Sequence, residues 1–427
     1  MGQIIKTYNE VIDETLYFKE LESGLKVYFI PKAGYTKKYG FFATRYGSME
    51  NDFEVDGKKF SMPLGIAHFL EHKIFESEEE GTFEKFSKLG ANVNAYTNFI
   101  STCYLFNTVE NFDECMENLM DFVQKPYLTE ENVEKEKGII AQEIKMYDDN
   151  PGWRVYFNLL SSMYDVNPIK YDIAGTVESI NKITVDDLNN CYDNFYNPQN
   201  MMVLVVGDLD AEEVFELVEK SQGERFLNNK KKPVADYGME PADVSKELVT
   251  EKMMVATPQF YVGIKDDYTK LGQREDLKYR LVRKIGLDIL FGRASEFYKE
   301  NYEEGIINGT FSFDYSRGTG HSYFILGGES DRVEEAKGAI LKVMENPVDL
   351  IKEESFDRIV KKMKGRFLSS FNSLDYVSSN FISYYMNGNN LLDYLDVVDS
   401  ITTEDIVDAF KNTKTEKRVV LSVIDKM

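Results

Sequence analysis

Two of the chain's three histidines lie four residues apart, in the segment His68-Phe69-Leu70-Glu71-His72. At about 100° per residue on a helix, the two imidazoles project about 40° apart, and Glu71 lies within about 60° of His68. All three side chains can therefore point into one cavity. A catalytic zinc takes three protein ligands, often imidazole nitrogens, together with a water that a nearby unligated carboxylate can deprotonate. The spelling, H-x-x-E-H, is the inverse of the zinc-protease helix H-E-x-x-H.

The alternative is that both histidines are a hydrogen-bonded feature of the interior or ordinary surface polarity, since H-x-x-E-H also arises by chance in unrelated chains. The surrounding residues favour a site on a helix. Phe69 and Leu70 supply an apolar back, and Pro63 is a suitable helix start. The sequence therefore predicts a helix over about 64–76 that presents His68 and His72.

A second helix, predicted over 129–149, carries the candidate third ligand. Glu136 and Glu143 are seven residues apart and so occupy nearly one face of it. The apolar residues expected to cover much of the rest are Val133, Ile139, Ile140, Ile144 and Met146. Because three of these isoleucines surround Glu143, we expect this carboxylate to be half-buried and to need a partner such as a metal. From the spacing alone, a place on a solvated face remains the alternative, and it is our interpretation of Glu130, Glu131 and Glu134.

Composition narrows the class of protein. At 427 residues the chain is too long for one core and predicts two domains of roughly 200 residues. A net charge of −23 argues against nucleic-acid binding and against an anionic membrane surface, and leaves basic or neutral peptides as ligands. No apolar run is long enough to predict a transmembrane helix. We therefore expect neither a nucleic-acid nor a membrane partner.

The cysteines and the first residues bear on location. Cys103, Cys115 and Cys191 form no C-x-x-C pair, and such an odd, sparse set suits a reducing cytoplasm better than a disulfide framework. The start of the chain, residues 1–6, has no apolar signal region. Both observations predict a cytoplasmic protein.

The two halves of the chain resemble each other. Thr184 precedes a predicted helix and then the apolar strand 202–206, and Thr402 precedes another helix and the strand 419–424. The predicted helix starts near 129 and 352 are also about 220 residues apart, as Thr184 and Thr402 are. The sequence predicts an α+β fold in which one α/β-sandwich unit is used twice through internal duplication. The alternative is that a capped helix followed by a strand is simply common.

The linker between the halves is predicted from composition. Residues 228–241 are polar, basic and punctuated by proline in an otherwise acidic chain. We place a first domain at 1–228, a linker at 229–246 and a second domain at 247–427, which begins with a strand around 253–256. Further predicted strands are 25–30, 40–44 and those within 92–106. Further predicted helices are 79–89, 111–125 and 152–163.

These segments resemble the pitrilysin/insulinase family of zinc metallopeptidases, and within it the bacterial members related to mitochondrial processing peptidase. The resembling stretches are 65–75, 90–97, 136–143 and 203–207. The resemblance implies two similar domains that form a half-shell, one Zn²⁺ per chain held by His68, His72 and Glu143, and Glu71 as general base. It also implies that Glu136 supports catalysis. The stretch Asn94, Ala95, Tyr96 and Thr97 matches the family's edge strand, which binds the substrate backbone; the alternative is an ordinary buried strand.

The second half departs from the family pattern. Members often carry Arg and Tyr in a stretch spelled Arg-Gly-x-x-Tyr, but this chain has Glu304-Gly305-Ile306-Ile307-Asn308. Tyr315 and Arg317 lie nearby with a different spacing, and His321 is a lone histidine that we expect to be structural or exposed. We therefore expect a related, zinc-less partner chain in a heterodimer. The alternative is a homodimer or a monomer, either with slow activity or with Arg317 and Tyr315 substituting for the missing pair.

The expected activity is a zinc metalloendopeptidase that cleaves short or unfolded peptides inside an enclosed chamber, with a zinc-bound water activated by Glu71. One alternative is a non-catalytic structural or assembly subunit related to the core proteins of respiratory complexes. Another is a zinc-binding module without catalysis. Zinc content and peptide cleavage separate the three.

Overall fold

The computed structural model describes residues 2–77 and 81–427. Its strands are β1 (Ile5–Asn9), β2 (Glu14–Glu20), β3 (Lys26–Pro31), β4 (Lys38–Thr44), β5 (Asp52–Val55), β6 (Lys58–Ser61), β7 (Asn92–Thr97), β8 (Thr102–Thr108), β9 (Met201–Gly207), β10 (Val234–Ala235), β11 (Leu248–Met253), β12 (Gln259–Lys265), β13 (Ser312–Gly318), β14 (His321–Glu329) and β15 (Val419–Lys426).

The helices of the first half are α1 (Ile66–Ile74), α2 (Thr82–Lys88), α3 (Phe112–Gln124), α4 (Glu130–Asp148), α5 (Pro151–Met163), α6 (Val177–Ile180), α7 (Val185–Phe195), α8 (Ala211–Lys220) and α9 (Glu224–Asn228). Those of the second half are α10 (Gln273–Phe291), α11 (Glu296–Glu303), α12 (Val333–Glu345), α13 (Glu353–Ser370), α14 (Leu374–Met386), α15 (Tyr394–Asp399) and α16 (Thr403–Lys411). Short 3-10 helices occupy Pro168–Lys170, Val348–Leu350 and Leu391–Asp393.

The two main sheets share one strand order. The seven-stranded sheet runs β1-β2-β3-β9-β4-β8-β7, and the five-stranded sheet runs β11-β15-β12-β14-β13. Each contains one parallel pair, β3 with β9 and β11 with β15, and its other pairs are antiparallel. Without β1 and β2, each sheet has five strands. Numbered by their order along the chain, they lie across each sheet in the order first, fifth, second, fourth, third. The predicted α+β fold with one unit used twice is confirmed.

The chain forms two compact units, and each takes a helix from the opposite half of the sequence. One unit contains residues 1–144, 172–236 and 370–386, and the other contains 145–171, 237–369 and 387–427. Helix α5 thus packs on β12 and β15, whereas α14 packs on β9 and β4. The boundaries 1–228, 229–246 and 247–427 follow the linear order of the repeat and stay a prediction.

Helix α14 is an integral part of the first unit. The ring centroids of Phe381 and Tyr385 lie 5.1 and 5.4 Å from that of Tyr28, which is on β3. The guanidinium of Arg45 donates to the backbone carbonyls of Tyr385 and Met386, each at 2.7 Å. A segment from the end of the chain therefore completes the interior of the unit that holds the histidine pair.

The segment predicted as a linker is tied down at both ends. Its strand β10 pairs with β5 in a separate three-stranded sheet of the first unit. In the second unit, the carboxylate of Glu240 accepts hydrogen bonds from the backbone N–H groups of residues 165–167 and pairs with the Lys265 ammonium at 2.6 Å. These contacts fix the chain on either side of residue 237.

The helix predictions of the first half are confirmed to within a few residues at each end. Residues 79 and 80 of the predicted helix 79–89 lie outside the described part of the chain. The N-cap predictions are also confirmed, because Thr184 and Thr402 each form a capping box, with Asp187 and Asp405 respectively. The strand predicted at 253–256 is wrong: β11 ends at Met253, and the next residue is 89% exposed.

Candidate metal centre

Helix α1 presents the histidine pair from a fixed starting point. It begins after Gly65, not at Pro63, and Gly65 has a φ of 86°. A Cβ at this position would lie 2.3 Å from the carbonyl oxygen of Ala174, so only glycine permits this close approach. Ile66, Ala67, Phe69, Leu70 and Ile74 are buried, and they anchor the helix in the first unit.

The structure brings both histidines together with Glu143 of α4. One ligand atom from each of His68, His72 and Glu143 lies within 4.8 Å of the other two, and within the described residues this is the group of His, Cys, Asp and Glu side chains that could hold a metal. Nε2 of His68 lies 3.7 Å from Oε1 of Glu143, and Nε2 of His72 lies 3.5 Å from its Oε2. The three side chains predicted from the sequence therefore converge.

These separations fit zinc better than direct hydrogen bonding. A hydrogen bond between nitrogen and oxygen is typically about 2.7–3.2 Å long. The atoms around a tetrahedral zinc, at bonds of about 2.0–2.1 Å, lie about 3.4 Å from one another. Two imidazole nitrogens and one carboxylate are also a donor set that catalytic zinc uses. The residues present thus fit this ion in both spacing and chemistry.

Glu136 orients the second histidine. Its Oε1 lies 3.0 Å from Nδ1 of His72, and its side chain is only 7% exposed. Burial alone would raise the pKa of Glu136, but the bond to His72 and the charges of His72 and Lys73 outweigh it and lower the pKa. A carboxylate can only accept, so Nδ1 of His72 carries a proton and donates it. Nε2, which faces Glu143, is then the atom left to bind a metal.

The pKa values of the two histidines are shifted in opposite directions. Burial, with help from His72, lowers the pKa of His68 to about 4, so its imidazole is neutral near pH 7. Burial also acts to lower the pKa of His72, but the bond to Glu136 and the nearby carboxylates outweigh it and raise the pKa. In the described part of the chain, the buried Nδ1 of His68 has no hydrogen-bond partner. Among the described carboxylates, one therefore orients His72 from behind and none does so for His68.

Helix α4 confirms one expectation and corrects another. The side chain of Glu143 is 22% exposed, so its predicted half-burial is confirmed. Val133, Ile140 and Ile144 are buried as expected. Ile139 and Met146, however, are 49% and 59% exposed, and the prediction that they cover the apolar face is wrong. At about 100° per residue, the two lie about 120° and 140° from the centre of the face that Val133, Ile140 and Ile144 share, so the packing of that face does not cover them.

The carboxylate of Glu71 is buried beside this group. It accepts a hydrogen bond from the hydroxyl of Thr97, at an Oγ1–Oε2 distance of 2.7 Å. Burial raises the pKa of Glu71, although Thr97 and the charge of His72 act in the opposite direction. A raised pKa brings a carboxylate closer to the range in which it can both take and return a proton.

The predicted edge strand lies at the edge of its sheet. Among the described strands, β7 pairs with β8 alone, and it contacts α1. The backbone N–H of Ala95 donates to the side-chain Oδ1 of Asn94 at 2.9 Å, so this amide does not serve the ladder to β8. Thr97 turns its side chain toward Glu71, and Tyr96 lies opposite Cys103. The free edge therefore has a main-chain donor at Ala95.

Sequence reasoning missed Lys73, which lies next to His72. Its side chain has no exposed surface, and its ammonium lies 3.7 Å from Oε2 of Glu136 and 2.6 Å from Glu76. A fully buried lysine is rare unless it is paired. The only signal in the sequence was a lysine on the otherwise apolar part of α1, which by itself suggests an exposed position.

Tyr315, Arg317 and His321, the residues near the missing Arg-Gly-x-x-Tyr stretch, are buried in the second half. Tyr315 and Arg317 are 2% and 3% exposed. The Tyr315 hydroxyl donates to Asp266 at 2.9 Å, and Arg317 donates from Nε to Asp276 at 2.7 Å. His321 is 4% exposed, and burial lowers its pKa to about 3, which agrees with the expected structural role. Tyr315 and Arg317 thus belong to the interior of the second unit.

Comparison with known proteins identifies the family. A family model described as insulinase (peptidase family M16) matches residues 61–177, and one described as the peptidase M16 inactive domain matches residues 182–363. The uncharacterized zinc protease YmfH of Bacillus subtilis is 40% identical over 421 residues, covering 98% of each chain. This chain belongs to peptidase family M16, and the resemblance to the pitrilysin/insulinase family is confirmed.

Solved structures agree with this assignment. An M16-like peptidase from Alicyclobacillus acidocaldarius has a TM-score of 0.90 and 34% identity, covering 100% of this chain and 99% of the other. Pitrilysin has a TM-score of 0.78 at 14% identity, covering 99% of this chain and 46% of that one, and shows the shared fold. Among the described residues, no helix is long and apolar enough to cross a membrane.

Proposed function

We propose that this chain is a zinc-dependent endopeptidase that cleaves short or unfolded peptides within an enclosed chamber. The observation that carries the proposal is the convergence of His68, His72 and Glu143 beside the buried carboxylate of Glu71. We assign the first three as zinc ligands, one ion per chain, and Glu71 as the general base. Glu136 holds His72 through Nδ1 and is assigned a supporting role.

When bound, zinc would supply a Lewis acid that polarises the scissile carbonyl and makes a water acidic enough to deprotonate near neutral pH. Glu71 takes a proton from the attacking water while the water oxygen bonds to the carbonyl carbon. As the C–N bond breaks, Glu71 returns that proton to the leaving amine nitrogen. The backbone of β7 holds the peptide extended through main-chain hydrogen bonds, which favours loose sequence preference.

Metal content and cleavage of an unfolded peptide test the proposal together. Purified protein is expected to hold about one zinc per chain. Glu71→Gln should abolish cleavage and leave the zinc content unchanged, because Glu71 acts on water. His68→Ala and Glu143→Gln should lose zinc. Glu134→Gln is the matched control, since Glu134 lies on the same helix with a side chain that is 69% exposed.

The outcomes separate the alternatives. Zinc at about one per chain without any cleavage would favour a zinc-binding module. The absence of both would favour a structural or assembly subunit. Zinc content unaffected by His68→Ala would overturn the ligand assignment.

We also propose that the chain works with a second, related chain that lacks the zinc motif, with a homodimer as the alternative. The positions that carry Arg and Tyr in relatives are Glu304 and Asn308 here, and Asn308 accepts bonds from the N–H and hydroxyl of Thr310 in a local turn. Tyr315 and Arg317 are buried in their own unit and so are poor substitutes. Removing one donor to a developing oxyanion typically costs about 100- to 1000-fold in rate.

An assay with and without a partner tests this part. The purified chain should be slow alone and faster by at least about 100-fold with its zinc-less relative from the same genome. Full activity of the lone chain, unchanged by that relative, would contradict the proposal. We further propose a cytoplasmic location, which the three buried, free cysteines support.

A further inference from the structure

Lys73 is a buried cation at the back of the candidate metal centre. Its ammonium donates to the backbone carbonyl of Asn132 at 3.0 Å and contacts Glu76 at 2.6 Å and Oε2 of Glu136 at 3.7 Å. The Asn132 and Glu76 oxygens are within hydrogen-bonding distance of the ammonium, and Oε2 of Glu136 makes a longer charge contact with it. A lysine with no exposed surface pays a large desolvation cost, so its position needs such partners.

Glu136 lies between Lys73 and His72. One of its carboxylate oxygens, Oε1, accepts from Nδ1 of His72, and the other, Oε2, faces the Lys73 ammonium. A carboxylate held at both oxygens cannot rotate without losing one contact. The lysine therefore restrains the group that sets the orientation of the His72 imidazole.

Lys73 also joins the two helices that carry the candidate ligands. It belongs to α1, which holds both histidines, and Asn132 is in the first turn of α4, which holds both Glu136 and Glu143. At the start of α4, the backbone N–H of Thr129 donates to Oδ1 of Asn132 and the backbone N–H of Asn132 donates to Oγ1 of Thr129, so the contact is made to an ordered helix end. Moving α4 relative to α1 would alter the spacing between Glu143 and the imidazoles.

We propose that Lys73 is a positioning residue for the zinc site and acts through Glu136 on His72. This inference rests on the proposed zinc function. The direction in which zinc affinity changes when Lys73 is removed distinguishes positioning from a simple charge effect. A cation near the site repels Zn²⁺, so removing it would tighten zinc binding if charge alone mattered. If Lys73 acts by positioning, removing it weakens zinc binding.

The test measures the zinc dissociation constant of the full-length chain by competition with a chelator, starting from metal-free protein. Lys73→Met should weaken zinc binding about 10-fold, the lower end of what the loss of an outer partner costs a metal site. In a Glu136→Gln background, the same substitution should change the constant less than about twofold. If Lys73 acts through Glu136, Lys73→Met must lose its effect on zinc affinity once Glu136 has been replaced.

Matched variants keep the result interpretable. Lys137→Met removes the same charge from the residue next to Glu136, but Lys137 pairs with Glu134, so its zinc constant should not change. Lys73→Gln keeps a donor for the Asn132 carbonyl and serves if Lys73→Met does not fold, as judged by circular dichroism of the metal-free protein. It should also weaken zinc binding.

Three outcomes overturn the inference. They are unchanged or tighter zinc binding in the Lys73 variants, equal weakening with and without Glu136, and equal weakening in Lys137→Met. The wild-type chain is measured first. If it binds no zinc, the proposed function fails. If it binds zinc and the Lys73 variants match it, only this inference fails.

Discussion

The hydroxyl of Thr97 donates a hydrogen bond to Oε2 of Glu71 across 2.7 Å. Thr97 is the last residue of β7, and Glu71 lies in α1, so the bond joins the edge strand to the histidine helix. The resemblance assigned Thr97 to the substrate-binding strand, and its side chain contacts the proposed general base. This bond fixes the orientation of the carboxylate that we propose as the general base.

We therefore expect Thr97→Val to lower kcat about 10-fold with little change in KM, because the base loses its orientation. This is less than the roughly 100- to 10,000-fold contribution of general base catalysis as a whole. Thr97→Ser should stay close to wild type, since it keeps the hydroxyl. Zinc content should not change in either variant.

Thr97 helps to lower the pKa of Glu71, so Thr97→Val should also move the acid limb of the kcat profile to higher pH. An unmoved profile with reduced kcat would argue against the contact.

Zinc binding should depend on pH through His72. The pKa of this imidazole is raised in the metal-free chain, so a proton occupies Nε2 up to a pH above 6.5. Zinc and that proton compete for one lone pair, and affinity should therefore fall about tenfold per pH unit below the raised pKa. Above it the affinity should level off. Titrations between pH 5.5 and about 8.5 measure this.

Glu136→Gln gives the matching control, because the bond to Glu136 is one cause of the raised pKa. The level region should then begin at a lower pH, and the affinity within it should be weaker, since His72 is less well oriented. If Glu136→Gln lost as much zinc as Glu143→Gln, the assignment of Glu143 as a ligand and Glu136 as a supporting residue would fail.

Peptide binding should need the backbone amide of Ala95. In the free chain this N–H donates to Oδ1 of Asn94, an oxygen that stands where a substrate carbonyl could accept. Ala95→Pro removes the donor at a sheet edge, where proline is tolerated. We expect KM to rise about 3- to 10-fold, the usual value of one net hydrogen bond. Ala95→Ser keeps the amide and should behave as wild type. A substrate complex with the peptide away from β7 would rule this binding mode out.

The halves of the chain should not fold independently. A fragment of residues 1–228 lacks α14, which packs on β9 and β4, and carries α5 without the sheet that α5 covers. It would leave Tyr28 and its neighbours exposed, and we expect most of it in the insoluble fraction. Co-expression with residues 229–427 should restore soluble protein that elutes as one complex. A soluble, cooperatively melting 1–228 fragment would contradict the exchange of helices.

The sequence determined those parts of the molecule that depend on neighbours along the chain. The spacing of His68 and His72, the capping boxes at Thr184 and Thr402 and the heptad step between Glu136 and Glu143 act within two helical turns. The bounds of the helices that carry the histidine pair and the two glutamates were accordingly predicted to within a few residues, and the N-caps at Thr184 and Thr402 were predicted correctly. The repeat was also visible, because the two halves reuse the same order of caps, helices and strands.

Tertiary structure alone decided the contacts between distant residues. The bond from Thr97 to Glu71 spans 26 residues, and that between His72 and Glu136 spans 64. No periodicity encodes such pairs, since they exist only once the helices pack. Packing likewise left Ile139 exposed and buried Lys73, although hydrophobicity alone predicts the reverse. Burial depends on what a neighbouring element covers, and a single sequence does not state this.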